Sequence, residues 1–274
     1  MTHGVSWAGI ALGTLALVQV AAASGQTLPQ PPPPPPAVVG FLSFAQLPDV
    51  IRIVPAAPAS DDSRFVADMA VYRATRALQG SPRWTLAQSD DEVTTAGLFK
   101  AFRCVLGANV TPDNAPRLTT LVRRANADSS RASTVLKEFY QHKRPFQVVD
   151  GPVCVTPETK AALSRNPDYP SGHTTASWET GLVLSAVLPE RTTSILTRAR
   201  AYGQSRVVCG VHNLSAVEAG WMTATAVFAA QQGSDEFHQA VKAAQAEFRA
   251  LGGAGSVDPA VCGAEAALIA KDPY

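Results

Sequence analysis

Six stretches of this chain repeat their apolar residues at intervals of three and four. They are ADMAVYRATRAL (67 to 78), TLVRRANADSSRASTVLKEFYQHK (120 to 143), TASWETGLVLSAVL (175 to 188), TTSILTRARAYGQSRVV (192 to 208), SAVEAGWMTATAVFAAQ (215 to 231) and SDEFHQAVKAAQAEFRAL (234 to 251). That spacing lays an apolar stripe along a helix, and the period of two that a half-buried strand needs is nearly absent. The stretches are separated at Gly80-Ser-Pro, Thr111-Pro-Asp, Gly151-Pro, Pro167 to Gly172 and Gly233-Ser-Asp, where glycine and proline punctuate the chain. The expected fold is all-α, a single-domain helical bundle. No internal repeat and no domain boundary is read between residues 60 and 250.

With 274 residues, 46% of them hydrophobic and 16% charged, the chain can bury a full core. Its formal charge of +1 gives no bulk attraction for a nucleic-acid polymer or an anionic membrane, so any anion site must be local. Residues 1–25 read as a secretory signal peptide, an apolar run from Val5 to Val20 followed by Ala21, Ala22 and Ala23; the alternative is an uncleaved anchor helix. Six consecutive prolines, Pro31 to Pro36, make residues 26–45 a Pro-rich flexible linker with a polyproline II core, and residues 46–274 the helical domain. An exported chain with four cysteines is expected to form two disulfides. Loop lengths between nearest neighbours suggest Cys104 with Cys154 and Cys209 with Cys262.

Three polar clusters interrupt the apolar pattern. In KEFYQHKRP, Lys137 and Arg144 are seven residues apart, on one face of any continuous helix, until Pro145 biases Arg144 out of the α region and ends it. In DYPSGHTTASW, the turn at Pro170 and Gly172 places Ser171, Gly172 and His173 at a helix amino terminus, where unpaired N–H groups favour an anion. In SRVVCGVHNLSAVEAG, Arg206 and His212 are separated by a Cys-Gly break that allows the chain to be re-aimed. Taken singly, these are a solvated basic face, a helix cap and a core histidine. Together they supply what phosphoryl transfer needs: fixed positive charge for the equatorial oxygens, and a nucleophile and an acid at the apical positions.

Order and spacing then carry a resemblance: Lys137, six residues, Arg144-Pro145; Pro170-Ser171-Gly172-His173; Ser205-Arg206, five residues, His212. The chain resembles the bacterial class A non-specific acid phosphatases, within the type 2 phosphatidic acid phosphatase and vanadium haloperoxidase superfamily. The likeness extends through SPRWTLAQ and DNAPRL and covers roughly residues 60 to 250. It implies a helical bundle of that superfamily's kind, phosphomonoester hydrolysis without a metal or cofactor, and a covalent phosphohistidine. Carried over by position, His212 matches the nucleophile and His173 the general acid. Lys137, Arg144, Ser171, Gly172 and Arg206 match the substrate phosphate-binding residues. Metal ligands are expected to be absent, vanadate is expected to inhibit, and the location is periplasmic or secreted. The partners are small phosphomonoesters, with no membrane after signal cleavage. The amphipathic segment 234–251 suits a homo-oligomer contact as well as ordinary packing.

One position departs from the resembled pattern, which places an aspartate four residues after the second histidine. Here that position is Ala216. A carboxylate there would accept a hydrogen bond from the remote imidazole nitrogen, fixing the tautomer and stabilising the phosphorylated ring. Glu218, Ser215 or a carbonyl from elsewhere are the substitutes considered, and Ala216→Asp is expected to raise turnover. An active enzyme with a substituted acceptor, slowed or retuned in pH, is the favoured reading. The alternatives are a catalytically degenerate phosphate-binding protein and a vanadate-dependent haloperoxidase.

Overall fold

A computed structural model describes residues 37–253 and 255–274, together with residues 1, 2 and 4. The expected signal peptide, and the proline run of the linker, therefore lie outside the described residues. The folded body is Val38–Tyr274. It consists of helices α1 (Val50–Ile53), α2 (Ser63–Thr75), α3 (Pro82–Ser89), α4 (Thr95–Leu106), α5 (Pro116–Tyr140), α6 (Pro157–Leu163), α7 (Gly172–Val187), α8 (Thr192–Val208), α9 (Leu214–Gln231), α10 (Asp235–Leu251) and α11 (Pro259–Ile269). No strand occurs among the described residues. All six periodic stretches are helical, with ends displaced by a few residues. Helices α1, α3, α4, α6 and α11 were not read from the sequence. Of these, α4 was legible, since Leu98, Phe99, Phe102 and Leu106 form its buried face.

Helix α7 is the axis of the body, with α5, α8 and α9 packed around it. Glycines let these helices approach. A methyl group on Gly181 would lie 2.8 Å from the Ala199 Cβ of α8, and one on Gly220 would lie 2.9 Å from the Thr174 Cβ of α7. The main core, between α4, α5, α7, α8 and α10, buries Phe99, Phe102, Leu118, Leu121, Leu184, Ile195 and Phe237. Each such side chain contributes about 1.5–3 kcal/mol relative to exposure. Phe237, Val241 and Ala244 turn the apolar face of α10 into this body.

The folded chain begins before residue 46, inside the stretch read as linker. Phe41 and Leu42 are buried, and their N–H groups donate to the buried Asp128 carboxylate of α5 at 2.9 and 3.4 Å. The disulfide pairing expected from loop lengths is also corrected: Cys104 is bonded to Cys262 and Cys154 to Cys209. The reason is tertiary. Helix α11 returns to lie against α8, which brings Cys262 to Cys104 across 158 residues of sequence. Cys154 is seated against the end of α8 by a bond from its N–H to the Cys209 carbonyl at 3.0 Å.

Candidate active site

The carboxyl end of α5, the amino end of α7 and the turn between α8 and α9 meet at one cavity of about 480 Å³. Helix α5 stops at Tyr140, followed by Gln141 in the left-handed region at φ 47°, so Lys137 sits in its last turn. Arg144 is not on that helix. It is extended at φ −72°, ψ 152°, as Pro145 demands, and reaches the same cavity from the following segment. Ser171 caps α7, leaving the N–H groups of Gly172 and His173 without intrahelical acceptors. Arg206 lies in the last turn of α8, and the chain then breaks at Gly210, φ 78°. A Cβ at Gly210 would meet Arg76 Nη1 at 2.4 Å. Arg76 occupies that space because its guanidinium donates to the terminal carbonyls of α8, Val207 and Val208, at 2.9 and 2.8 Å. The break delivers His212 to the cavity just ahead of Asn213, the cap of α9.

Lys137, Arg144, Gly172, His173 and His212 line this cavity with Asn126, Ser129, Ser133 and Thr175, and no carboxylate is among its lining residues. Arg206 is fully buried beside it. Its Nη1 binds the Asp91 carboxylate and its Nη2 the Ala87 carbonyl, while its Nε–H has no acceptor among the described residues. Ser171 departs from the expectation of a direct phosphate ligand. Its side chain is fully buried, its hydroxyl accepts from Thr174 Oγ1 at 2.9 Å, and its N–H donates to the Ala216 carbonyl at 2.9 Å. Lys137 donates to the Pro167 carbonyl. Burial, with the Arg144 charge added, lowers its ammonium to about 7. Burial also brings Arg144 down to about 10.

The two imidazoles are held in opposite tautomers by their neighbours. His212 Nδ1 is 2.8 Å from Asp168 Oδ1, and its Nε2 faces Arg144 Nη1 at 3.1 Å. A guanidinium only donates, so Nε2 is the bare nitrogen and Nδ1 carries the proton. Burial, then the Arg144 charge, holds this imidazole well below the ordinary histidine range, so it stays neutral. His173 Nε2 is 3.0 Å from the Asp91 carbonyl, an acceptor, so there the proton is on Nε2. Burial and the Arg206 charge bring His173 down to about 4.

Two acidic residues of this site escaped the sequence analysis. Asp168 is fully buried. Besides His212 it accepts from Asn213 N–H at 3.3 Å and Asn213 Nδ2 at 2.8 Å, and faces His142 Nδ1 at 3.3 Å. Burial alone would raise its carboxyl, but hydrogen bonds from both imidazoles and the Arg144 charge drive it far below the usual carboxylate range. The other is Asp91, which joins Arg206 to His173. Asp168 stands five residues before His173 in the motif stretch, the one available signal; Asp91 carries none. The substitutes considered in the sequence are engaged elsewhere. Ser215 gives both its N–H, at 2.8 Å, and its hydroxyl to Asp68, and Glu218 is exposed. Ala216 is packed with Leu136 and Tyr169 in an apolar cluster.

Fixed cations, an open helix amino terminus and two differently protonated imidazoles around one cavity are the properties of a protein that handles a tetrahedral oxyanion. The pattern described as PAP2 superfamily matches residues 124–232, the stretch that carries these groups. The chain is 34% identical to an acid phosphatase of Zymomonas mobilis over 69% of its own length and 72% of that protein's. It is 33% identical to a non-specific acid phosphatase of Providencia stuartii over 77% and 85% of the two chains. To the non-specific acid phosphatase of Salmonella typhimurium the figures are 33%, 69% and 75%. The chain belongs to the PAP2 superfamily, in the family of these bacterial acid phosphatases.

Proposed function

We propose that the protein hydrolyses small phosphomonoesters through a covalent phosphohistidine on His212. Its family makes it a phosphoric monoester hydrolase of the acid phosphatase kind. The observation that carries the finer reading is the bare Nε2 of His212, kept neutral by burial and set in a cavity with Lys137, Arg144, His173 and the amino terminus of α7.

Lys137, Arg144, the unpaired Nε–H of Arg206 and the N–H groups of Gly172 and His173 take the phosphoryl oxygens. Arginine's planar fork suits this because it can engage two oxygens together. Ser171 contributes by capping α7 and fixing that turn. The Nε2 lone pair attacks phosphorus as Arg144 moves from it to phosphate oxygen; the N–P bond forms and the bond to the alcohol oxygen breaks. His173, held by Asp91 through Nε2–H, gives the proton of its other nitrogen to the departing alcohol. Water then attacks phosphorus, His173 recovers a proton from it, the N–P bond breaks and orthophosphate leaves. These steps draw on this chain's own side chains and on the backbone N–H groups of the α7 amino terminus, and vanadate should compete for the same oxyanion contacts. Two disulfides suit an oxidising compartment, periplasmic or extracellular.

The test is hydrolysis of a chromogenic phosphomonoester from about pH 4 to 8 with a chelator present, beside His212→Ala. Chelator-resistant turnover that disappears in the variant, with an alkali-stable phosphoryl adduct trapped on the peptide bearing His212, is the expected result. Turnover surviving in His212→Ala would end the proposal.

A further inference from the structure

We infer that Asp168 is the positioning carboxylate for His212 and that His142 clamps it from the far side; this rests on His212 being the nucleophile. The two residues are 44 apart in sequence, and no helical spacing relates them. Asp168 belongs to the turn before α7, and its own N–H donates to the His142 carbonyl at 2.8 Å, which ties that turn to the segment between α5 and Arg144. One carboxylate oxygen faces His212 Nδ1 and Asn213 N–H; the other faces Asn213 Nδ2 and His142 Nδ1. With every donor around it supplied by fixed groups, the carboxylate has one orientation.

The geometry around His142 gives it the second role. Its Nδ1 faces Asp168 Oδ2 at 3.3 Å and its Nε2 faces the Pro58 carbonyl at 3.2 Å. Both partners are acceptors, and only an imidazole with a proton on each nitrogen satisfies both. His142 thus holds Asp168 as a carboxylate through the oxygen that His212 does not use. Asp168 in turn keeps the His212 proton on Nδ1, leaves Nε2 bare toward phosphorus, and stabilises the positive charge that develops on the ring when Nε2 is phosphorylated.

The carboxylate function absent at Ala216 is therefore supplied from another part of the chain. The position four residues after His212 is thereby free to be alanine, and Ala216 lies in a buried apolar cluster with Leu136 and Tyr169.

Asp168→Asn keeps the shape of the side chain and removes its charge. Its kcat should fall by roughly 10²–10⁴-fold, by analogy with the loss of the carboxylate that orients a catalytic histidine. KM and competitive inhibition by inorganic phosphate should stay near wild type, because Asp168 does not line the cavity. His142→Gln should lower kcat in the same direction by less. Unchanged kcat in a folded Asp168→Asn, with His212→Ala inactive, would overturn the inference and leave the phosphohistidine reading standing; activity in His212→Ala would overturn both. If Asp168→Asn does not fold, nitrogen NMR of labelled wild-type histidines decides. Protonated Nδ1 and bare Nε2 on His212 are expected, and the opposite tautomer would overturn the inference.

Discussion

His212 and Asp168 meet at 2.8 Å with both side chains almost wholly enclosed, His212 at 3% and Asp168 at 0% exposure. Enclosure makes the contact decisive. The bare imidazole would otherwise choose its tautomer by small differences in solvation, and here the buried carboxylate chooses it.

An aspartate introduced at Ala216 should therefore bring no gain. His212 Nδ1 already has an acceptor, and the new carboxylate would enter an apolar cluster with no donor provided for it. The expected outcome for Ala216→Asp is unchanged or reduced turnover and a lower melting temperature. Steady-state kinetics and thermal unfolding check it, and a rise in kcat would mean that Asp168 serves His212 poorly.

The pH dependence follows from His173. Its acid form is needed for leaving-group departure, and in the unliganded site it loses its proton as pH rises through about 4. The profile of kcat/KM, which reports the free enzyme, should thus decline above about pH 4, with a further loss near 7 as Lys137 gives up its charge. A bound phosphate dianion favours protonated His173, so the corresponding limb in kcat should lie at higher pH. Full profiles of both constants test the two limbs, and coincident limbs would contradict the assignment.

Glu179 of α7 is fully buried. Burial, with the Asp128 charge adding and Gln231 opposing, raises its carboxyl well above the usual range. A folded pKa above the unfolded value means the native state holds the extra proton, so stability declines as pH rises from about 4.3 toward the folded value. Glu179→Gln should match wild type in acid and exceed it at neutral and alkaline pH. Melting temperature against pH for both proteins decides the matter; parallel curves would exclude Glu179 as the source.

The disulfides should separate stability from activity. Peptide mapping without reductant should recover Cys104 with Cys262 and Cys154 with Cys209. Replacing either pair by serine should cost about 2–5 kcal/mol of stability. Only loss of Cys154–Cys209 should also depress kcat, because Cys209 lies on the turn between Arg206 and His212. Equal kinetics for the two double variants would show that the Gly210 turn holds its shape unaided.

The sequence by itself determined the six longest of the described helices and the candidate groups of the site. Apolar periodicity is local, so 192–208 and 215–231 were readable nearly to the residue, and the motif spacing named Lys137, Arg144, His173 and His212, which line one cavity, and Arg206, which is buried and bound to Asp91. What depended on chain separation was beyond it. The pairing of the cysteines followed where α11 returned, Ser171 turned inward to cap its helix, and the acceptor for His212 came from Asp168, a residue with no periodic relation to it. Hydrogen bonds and disulfides answer to distance in space, and only the packing of α5, α8 and α9 around α7, and of α11 against α8, fixed those distances.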